Sequence, residues 1–111
     1  MFNFDTMWKN IKTNKNNKRN IKDVEYESIN LNEYMILDVR SKREFGETHL
    51  NGAINIPLPE IKKNIGKIIK DKKAKILVYC EYGIRSKKAV DIIQKMGYVE
   101  VYNLKGGLEN I

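Results

Sequence analysis

The sequence predicts an α/β fold in which short apolar strands alternate with helices and form a mostly parallel sheet. Two near-continuous apolar runs, at residues 34–39 and 75–80, are typical of strands buried on both faces of such a sheet. One helical segment lies between these runs and another follows the second. Because ligands bind beyond the carboxyl ends of parallel strands, we expect a site near Asp38 and Cys80, where the two runs end.

The first half of the fold is predicted from three strands and one helix. VEYES (24–28) is a weak strand, residues 34–39 form a buried strand, and AINIP (53–57) is a short strand that ends at Pro57. Residues 57–70 begin with a proline, which suits a first helical turn, and continue with apolar residues at helical spacing. These residues are Leu58, Ile61, Ile65, Ile68 and Ile69.

The second half contains two strands and one helix. KILVYC (75–80) is the second buried strand, and VEVYNL (99–104) is the last strand. Between them, residues 86–97 predict a helix that ends at Gly97, which is a suitable C-terminal cap. Its apolar face consists of Ala89, Val90, Ile93 and Met96. No internal repeat is present.

The chain of 111 residues is expected to form one domain, at residues 21–111, preceded by a basic arm at residues 1–20. Most of the formal net charge of +7 comes from residues 1–22, where six basic side chains face one carboxylate, Asp5. The arm is interpreted as a solvated lead-in or as a contact for an acidic partner or membrane surface. It also carries apolar residues on roughly one face of a short helix: Phe2, Phe4, Met7, Trp8 and Ile11.

Composition excludes several classes of protein. No segment approaches the ~20 apolar residues of a membrane span, and the first residues lack the features of a secretory signal. Cys80 is the only cysteine, so no internal disulfide or Cys-x-x-Cys dithiol can form, and a cytoplasmic location is expected. One cysteine and one histidine do not favour a zinc site. We expect no metal or cofactor, no nucleic-acid partner and no transmembrane segment.

Cys80 lies in a pattern that suits a reactive thiol. Gly83 permits a tight turn, and a helix is predicted to begin near Arg85 and Ser86, with Ser86 as its cap. Backbone N–H groups at that helix start, together with the charge of Arg85, would favour the thiolate. The alternative is a buried cysteine with a purely structural role.

The spacing in this loop indicates the size of the group that it holds. Four residues separate Cys80 from Arg85, whereas cysteine phosphatases place five residues in a loop that holds phosphate. The tighter loop suits a smaller group, such as one sulfur atom carried on the cysteine. A phosphatase or arsenate reductase is therefore disfavoured.

Three segments in order resemble the single-domain rhodanese-like (thiosulfate sulfurtransferase-like) family. They are ILDVRSKREFGETHLNGAINIP, ILVYCEYGIRSKKAV and GYVEVYNLKGGL, and the resemblance covers residues 21–108. It implies a five-stranded parallel sheet with helices on both faces. It also implies that Cys80 accepts a sulfane sulfur as a persulfide and passes it to a thiophilic acceptor, such as cyanide or a thiol.

The resemblance also implies residue roles. Cys80 is the nucleophile, and Arg85 is expected to bind the anionic donor. Asp38 would order neighbouring loops, and Arg40 would pair with a carboxylate such as Glu44. The active-site loop consists of Glu81, Tyr82, Gly83, Ile84, Arg85 and Ser86.

Other positions of the resemblance have structural roles or depart from the family pattern. Gly106 and Gly107 match a turn in which small residues permit close backbone approach, and His49 belongs to a turn. Thr48 stands where the family usually has glycine, and no tryptophan follows the double glycine. Glu81 would disfavour a dianionic donor such as thiosulfate unless its side chain points away or pairs with a lysine or arginine.

Two functions from different classes follow. The first is a sulfurtransferase that uses a small donor and a thiol acceptor. The alternative is a sulfur-relay or binding module without turnover, in which Cys80 receives sulfur from a protein partner and the basic arm contacts that partner.

Overall fold

The computed structural model describes residues 22–111, which form one five-stranded sheet with three α-helices. All strand pairs are parallel, and the strand order is β1-β5-β4-β2-β3. The strands are β1 (Lys22–Val24), β2 (Met35–Asp38), β3 (Ile54–Asn55), β4 (Lys75–Tyr79) and β5 (Glu100–Leu104). The helices are α1 (Lys42–Glu47), α2 (Ile61–Ile68) and α3 (Ile84–Lys95). The predicted α/β class is therefore confirmed, whereas the arm at residues 1–20 lies outside the described residues.

The predicted strand at residues 24–28 is wrong for most of its length. Val24 ends β1, and Tyr26–Ser28 forms a 3-10 helix. The Ser28 backbone N–H and hydroxyl both donate to the Glu25 carbonyl, at 3.1 and 3.0 Å, and these local bonds replace those of a strand. The predicted helix at 57–70 also begins with a 3-10 turn, Leu58–Glu60, before α2.

Helix α1 was not predicted from the sequence. Its start is a capping box, because the Glu44 N–H donates to Ser41 Oγ at 3.1 Å and the Ser41 N–H donates to Glu44 Oε1 at 3.0 Å. The Ser-x-x-Glu pattern is a usable signal, but no apolar periodicity accompanies it over six residues. The helix positions Glu44, which is important for the site described below.

The two faces of the sheet carry separate cores. Alternation along β4 directs Val78 and the following Cys80 to one face, and Leu77 and Tyr79 to the other. The first face is covered by α2 and α3, which contribute Ile61, Ile65, Ala89, Val90 and Ile93. The second core is smaller and packs under the 3-10 turns and the segment around Leu50. Cys80 therefore lies in the larger core, on the face of the sheet that α3 covers.

Two kinds of feature are absent from residues 22–111. No helix in that range is long and apolar enough to cross a membrane. No cluster of three or more histidine, cysteine or carboxylate side chains there is arranged to hold a metal ion. The cytoplasmic location stays a prediction.

Candidate active site

The thiol of Cys80 lies at the centre of the loop between β4 and α3. Cys80 is only 1% exposed. Its Sγ accepts hydrogen bonds from the N–H groups of Gly83, at 3.1 Å, and Ser86, at 3.3 Å. The Ser86 hydroxyl lies 3.4 Å from the same sulfur. Because N–H dipoles converge on this sulfur, the loop favours negative charge there.

The prediction that Ser86 caps the following helix is wrong. The N-cap residue is Gly83, with φ of 94°, and it has no side chain that could cap α3. Gly83 turns the chain so tightly that the helix begins at Ile84, which places Ser86 inside its first turn. The sulfur of Cys80 therefore accepts the Ser86 N–H, a group that a capping side chain would otherwise satisfy.

The turn after β5 packs against the back of this loop. The Leu108 N–H donates to the Cys80 carbonyl at 3.0 Å, and the Glu109 N–H donates to the Glu81 carbonyl at 2.9 Å. Gly107 has φ of 64°, and a Cβ at this residue would lie 2.4 Å from the Cys80 carbonyl oxygen. The close approach expected at the double glycine is therefore present. These bonds engage the carbonyl oxygens of Cys80 and Glu81.

Arg40 is a buried cation that links β2 to the loop. It is 2% exposed, and its Nη2 lies 2.8 Å from Asp38 Oδ2. Its Nε donates to both Asp38 oxygens at 3.1 Å, and its Nη2 also donates to the Thr48 carbonyl. Burial opposes the charge of Arg40, but Asp38 outweighs burial and raises the arginine pKa. Asp38 thus holds Arg40 in position, and Arg40 binds the chain at Thr48, where α1 ends.

The predicted pairing of Arg40 with Glu44 is wrong. The Arg40 Nη1 lies 3.2 Å from Glu81 Oε1 instead. Asp38, the last residue of β2, lies two residues before Arg40 and holds its guanidinium where Nη1 reaches Glu81 of the loop. Glu81 is therefore paired with an arginine. From the sequence, Glu81 paired in this way is predicted not to disfavour a dianionic donor.

Glu44 instead binds Arg85, the residue that was expected to contact the donor. Arg85 Nη1 lies 2.8 Å from Glu44 Oε1, and Nη2 lies 2.9 Å from Oε2. The hydrogen bond from Arg85 lowers the pKa of Glu44 to about 2, and the same bond raises the pKa of Arg85. Both groups are consequently charged over the whole neutral range.

His49 lies in the segment that leads from α1 into the turn at residues 50–53. Its Nδ1 is 2.7 Å from the Phe45 carbonyl oxygen, and its ring stacks on Phe45 with centroids 3.7 Å apart. Because a carbonyl can only accept, Nδ1 carries the proton. The ring borders an open groove of about 330 Å³ on the side of the smaller core. The groove is lined by Thr48, His49, Leu50, Glu81, Leu108 and Ile111.

Tyr79 is a supporting residue that the sequence analysis did not identify. Its hydroxyl accepts the Leu50 N–H at 3.0 Å, and the Arg40 guanidinium carbon lies 5.8 Å from its ring centroid. Burial raises the pKa of Tyr79, so the hydroxyl stays protonated. In the sequence, its position in an apolar strand indicates only core packing.

The chain is similar to known proteins along most of its length. A family model described as the rhodanese-like domain matches residues 13–111. Thiosulfate sulfurtransferase PspE of Escherichia coli (strain K12) is 43% identical over 75 residues, which are 68% of this chain and 71% of that protein. A solved structure described as a rhodanese with anions from E. coli has 40% identity and a TM-score of 0.65, and the match covers 70% of this chain and 91% of that one.

A longer protein contains a similar segment. Adenylyltransferase and sulfurtransferase UBA4 of Yarrowia lipolytica (strain CLIB 122 / E 150) is 36% identical over 84 residues, which are 76% of this chain and 21% of that protein. The family model covers most of this chain. The chain belongs to the rhodanese-like domain family.

Proposed function

We propose that this protein is a sulfurtransferase in which Cys80 takes a sulfane sulfur from a donor, carries it as a persulfide and delivers it to a thiophilic acceptor. One observation carries the proposal: the Cys80 sulfur accepts two backbone N–H groups inside a short loop at the carboxyl end of the sheet. The names of the relatives described above support sulfurtransferase activity in general.

The reaction has two displacements. In the first, the Cys80 thiolate attacks the outer sulfur of a donor X–S⁻, the X–S bond breaks, and X leaves with the bonding electron pair as its anion. With thiosulfate the products are the Cys80 persulfide anion and sulfite. In the second, an acceptor thiolate attacks the terminal sulfur, the S–S bond breaks, and the Cys80 thiolate is regenerated. No redox partner is required, because sulfur is transferred at constant overall oxidation state.

The loop offers N–H groups for the transferred sulfur as well. The first residues of a helix have N–H groups without an intrahelical acceptor, and in α3 these include Ile84 and Arg85. A terminal persulfide sulfur carries negative charge and would accept such donors. The loop would hold the charge on Sγ in the free enzyme and on the outer sulfur in the loaded enzyme.

Intact-mass measurement tests the proposal directly. We expect incubation with thiosulfate, a thiosulfonate, a polysulfide or glutathione persulfide to add one sulfur atom to the wild-type protein. The adduct should disappear on treatment with cyanide, with formation of thiocyanate. In Cys80→Ser, neither adduct nor thiocyanate should form. Wild-type protein that gains no sulfur from any of these donors would contradict the proposal.

A sulfur-relay function is the second candidate, and the rim of the loop favours it. Tyr82 is 63% exposed and Ile84 is 69% exposed, whereas Cys80 between β4 and this rim is buried. Exposed aromatic and aliphatic side chains around a buried nucleophile suit contact with another protein surface. In that case sulfur would arrive from, or leave to, a protein cysteine rather than a small molecule.

Two cysteine peptides of equal length distinguish the two functions, one with leucines and the other with serines beside the cysteine. A relay predicts that the persulfidated leucine peptide loads Cys80 faster than either glutathione persulfide or the serine peptide. Ile84→Ser should reduce this preference severalfold. Val99→Ser is the matched control, because Val99 is also an exposed apolar residue but lies before β5, at the opposite edge of the sheet. Equal loading by all three donors would leave the relay without support.

A further inference from the structure

We infer that Glu44 determines donor specificity: it is an internal carboxylate that occupies Arg85 and makes the enzyme discriminate against doubly charged sulfur donors. The inference rests on the proposed function, because it concerns the donor that loads Cys80. It reverses the role expected for Arg85 from the sequence. The guanidinium of the active-site loop already has an anion bound to it.

The contact between the two side chains is bidentate. Each terminal nitrogen of Arg85 contacts one oxygen of Glu44, at 2.8 and 2.9 Å. This is the geometry in which a guanidinium binds a carboxylate most strongly and leaves its terminal edge unavailable for another anion. A donor anion must therefore displace Glu44 or bind beside it.

Glu44 is also held in place from its own helix. Its Oε1 accepts the Ser41 N–H at 3.0 Å, and its N–H donates to Ser41 Oγ at 3.1 Å, which together form the capping box of α1. The carboxylate thus reaches Arg85 already oriented, and little conformational freedom is lost when the pair forms. A diffusing anion has no such advantage.

The remaining charges around the loop do not compensate for Glu44. Arg40 is bound to both Asp38 and Glu81. Among the ion-paired side chains of the site, Arg40 and Arg85 are therefore outnumbered by three carboxylates, those of Asp38, Glu44 and Glu81. A donor with two negative charges meets more repulsion here than a donor of the same shape with one.

Two donors of similar shape isolate this charge effect. Thiosulfate is a dianion, and methanethiosulfonate is a monoanion in which a methyl group replaces one oxygen. Each transfers its outer sulfur to the Cys80 thiolate, and the leaving groups are sulfite and methanesulfinate respectively. The measurement is the second-order rate constant of Cys80 persulfide formation for each donor, followed by intact mass. The quantity compared is the ratio of the two constants.

Glu44→Gln removes the charge but keeps an oxygen that can accept the Ser41 N–H. We expect this variant to raise the thiosulfate constant relative to the methanethiosulfonate constant by about tenfold. Glu44→Asp keeps the charge and should retain a ratio near that of wild type. Glu47→Gln is the matched control, because Glu47 is on the same helix but pairs with exposed Arg43 at 3.6 Å. Its ratio should equal that of wild type.

The outcomes separate two failures. If neither donor loads wild-type Cys80, the proposed function itself fails. If both donors load Cys80 but Glu44→Gln leaves the ratio unchanged, only the specificity role of Glu44 is overturned. If Glu44→Asp changes the ratio as much as Glu44→Gln, the effect comes from packing rather than charge, and the inference is again overturned. Because each variant serves as its own reference, a general loss of activity does not affect the ratio.

Discussion

At the scale of single residues, the sulfur of Cys80 has two roles in the same place. It accepts the Ser86 N–H at the start of α3, where many helices have a serine or aspartate oxygen. It also accepts the N–H of Gly83, whose left-handed conformation brings that donor to the sulfur. The residue that we propose as nucleophile is therefore also part of the local structure of the helix start.

Gly107 gives a residue-scale prediction about the loop. Gly107→Ala would place a methyl group 2.4 Å from the Cys80 carbonyl oxygen, at a φ of 64° that side chains rarely adopt. We expect a loss of at least ~2 kcal/mol in the free energy of unfolding, measured by urea denaturation, together with slower persulfide formation.

The matched control for this change is Gly46→Ala. Gly46 lies within α1, and a Cβ there would meet no atom within 4 Å. Alanine at this position should leave stability unchanged or raise it by up to ~1 kcal/mol, because alanine is the better helix former. A Gly107→Ala protein as stable as Gly46→Ala would contradict the close packing of the double-glycine turn against the loop.

The residue pairings mark the limit of sequence-based prediction at this scale. The position of Cys80 and the turn at Gly83 follow from local pattern, and the close approach at Gly107 follows from the family resemblance. The pairing of Arg40 with Glu81 and that of Arg85 with Glu44 follow from neither, because the two residues of each pair lie 41 positions apart along the chain. Which carboxylate meets which guanidinium depends on how α1 and the loop are placed relative to each other.

At the scale of elements, the apolar pattern predicted the strands that the core depends on. The two buried runs became β2 and β4, the neighbouring central strands, because continuous apolar residues have no alternative to burial on both faces. The strand prediction at residues 24–28 was wrong. Few apolar residues there favour burial in a sheet, and local hydrogen bonds to the Glu25 carbonyl form instead. Helix α1 was missed because it is short and contains no buried residue.

At the scale of the whole molecule, the sheet brings distant segments to one edge. The ends of β2, β4 and β5, which are consecutive neighbours in the sheet, contribute Arg40, the loop around Cys80 and the double-glycine turn. Contacts between these segments join residues that local pattern treats separately. The sequence could locate this edge, because parallel strands present their carboxyl ends together.

The Glu44–Arg85 pair gives a prediction for the pH dependence of stability. The pKa of Glu44 is lowered from 4.5 to about 2 in the folded protein. Its carboxylate therefore contributes stability that is present above about pH 4.5 and is lost as pH falls towards 2. We expect the free energy of unfolding of wild type to fall more steeply across this window than that of Glu44→Gln. Parallel acid limbs in the two proteins, measured by urea denaturation at successive pH values, would show that the pair does not contribute.

The position of the Cys80 sulfur at the start of α3 has a consequence for the catalytic cycle. When Cys80 carries a second sulfur, the negative charge moves outward to the terminal atom, and Sγ becomes a weaker hydrogen-bond acceptor. The terminal sulfur, rather than Sγ, would then be the stronger hydrogen-bond acceptor for the N–H groups in the first turn of α3. Formation and removal of the Cys80 persulfide would thus alter the thermal stability of the protein, so that its melting temperature would distinguish the persulfidated from the free form.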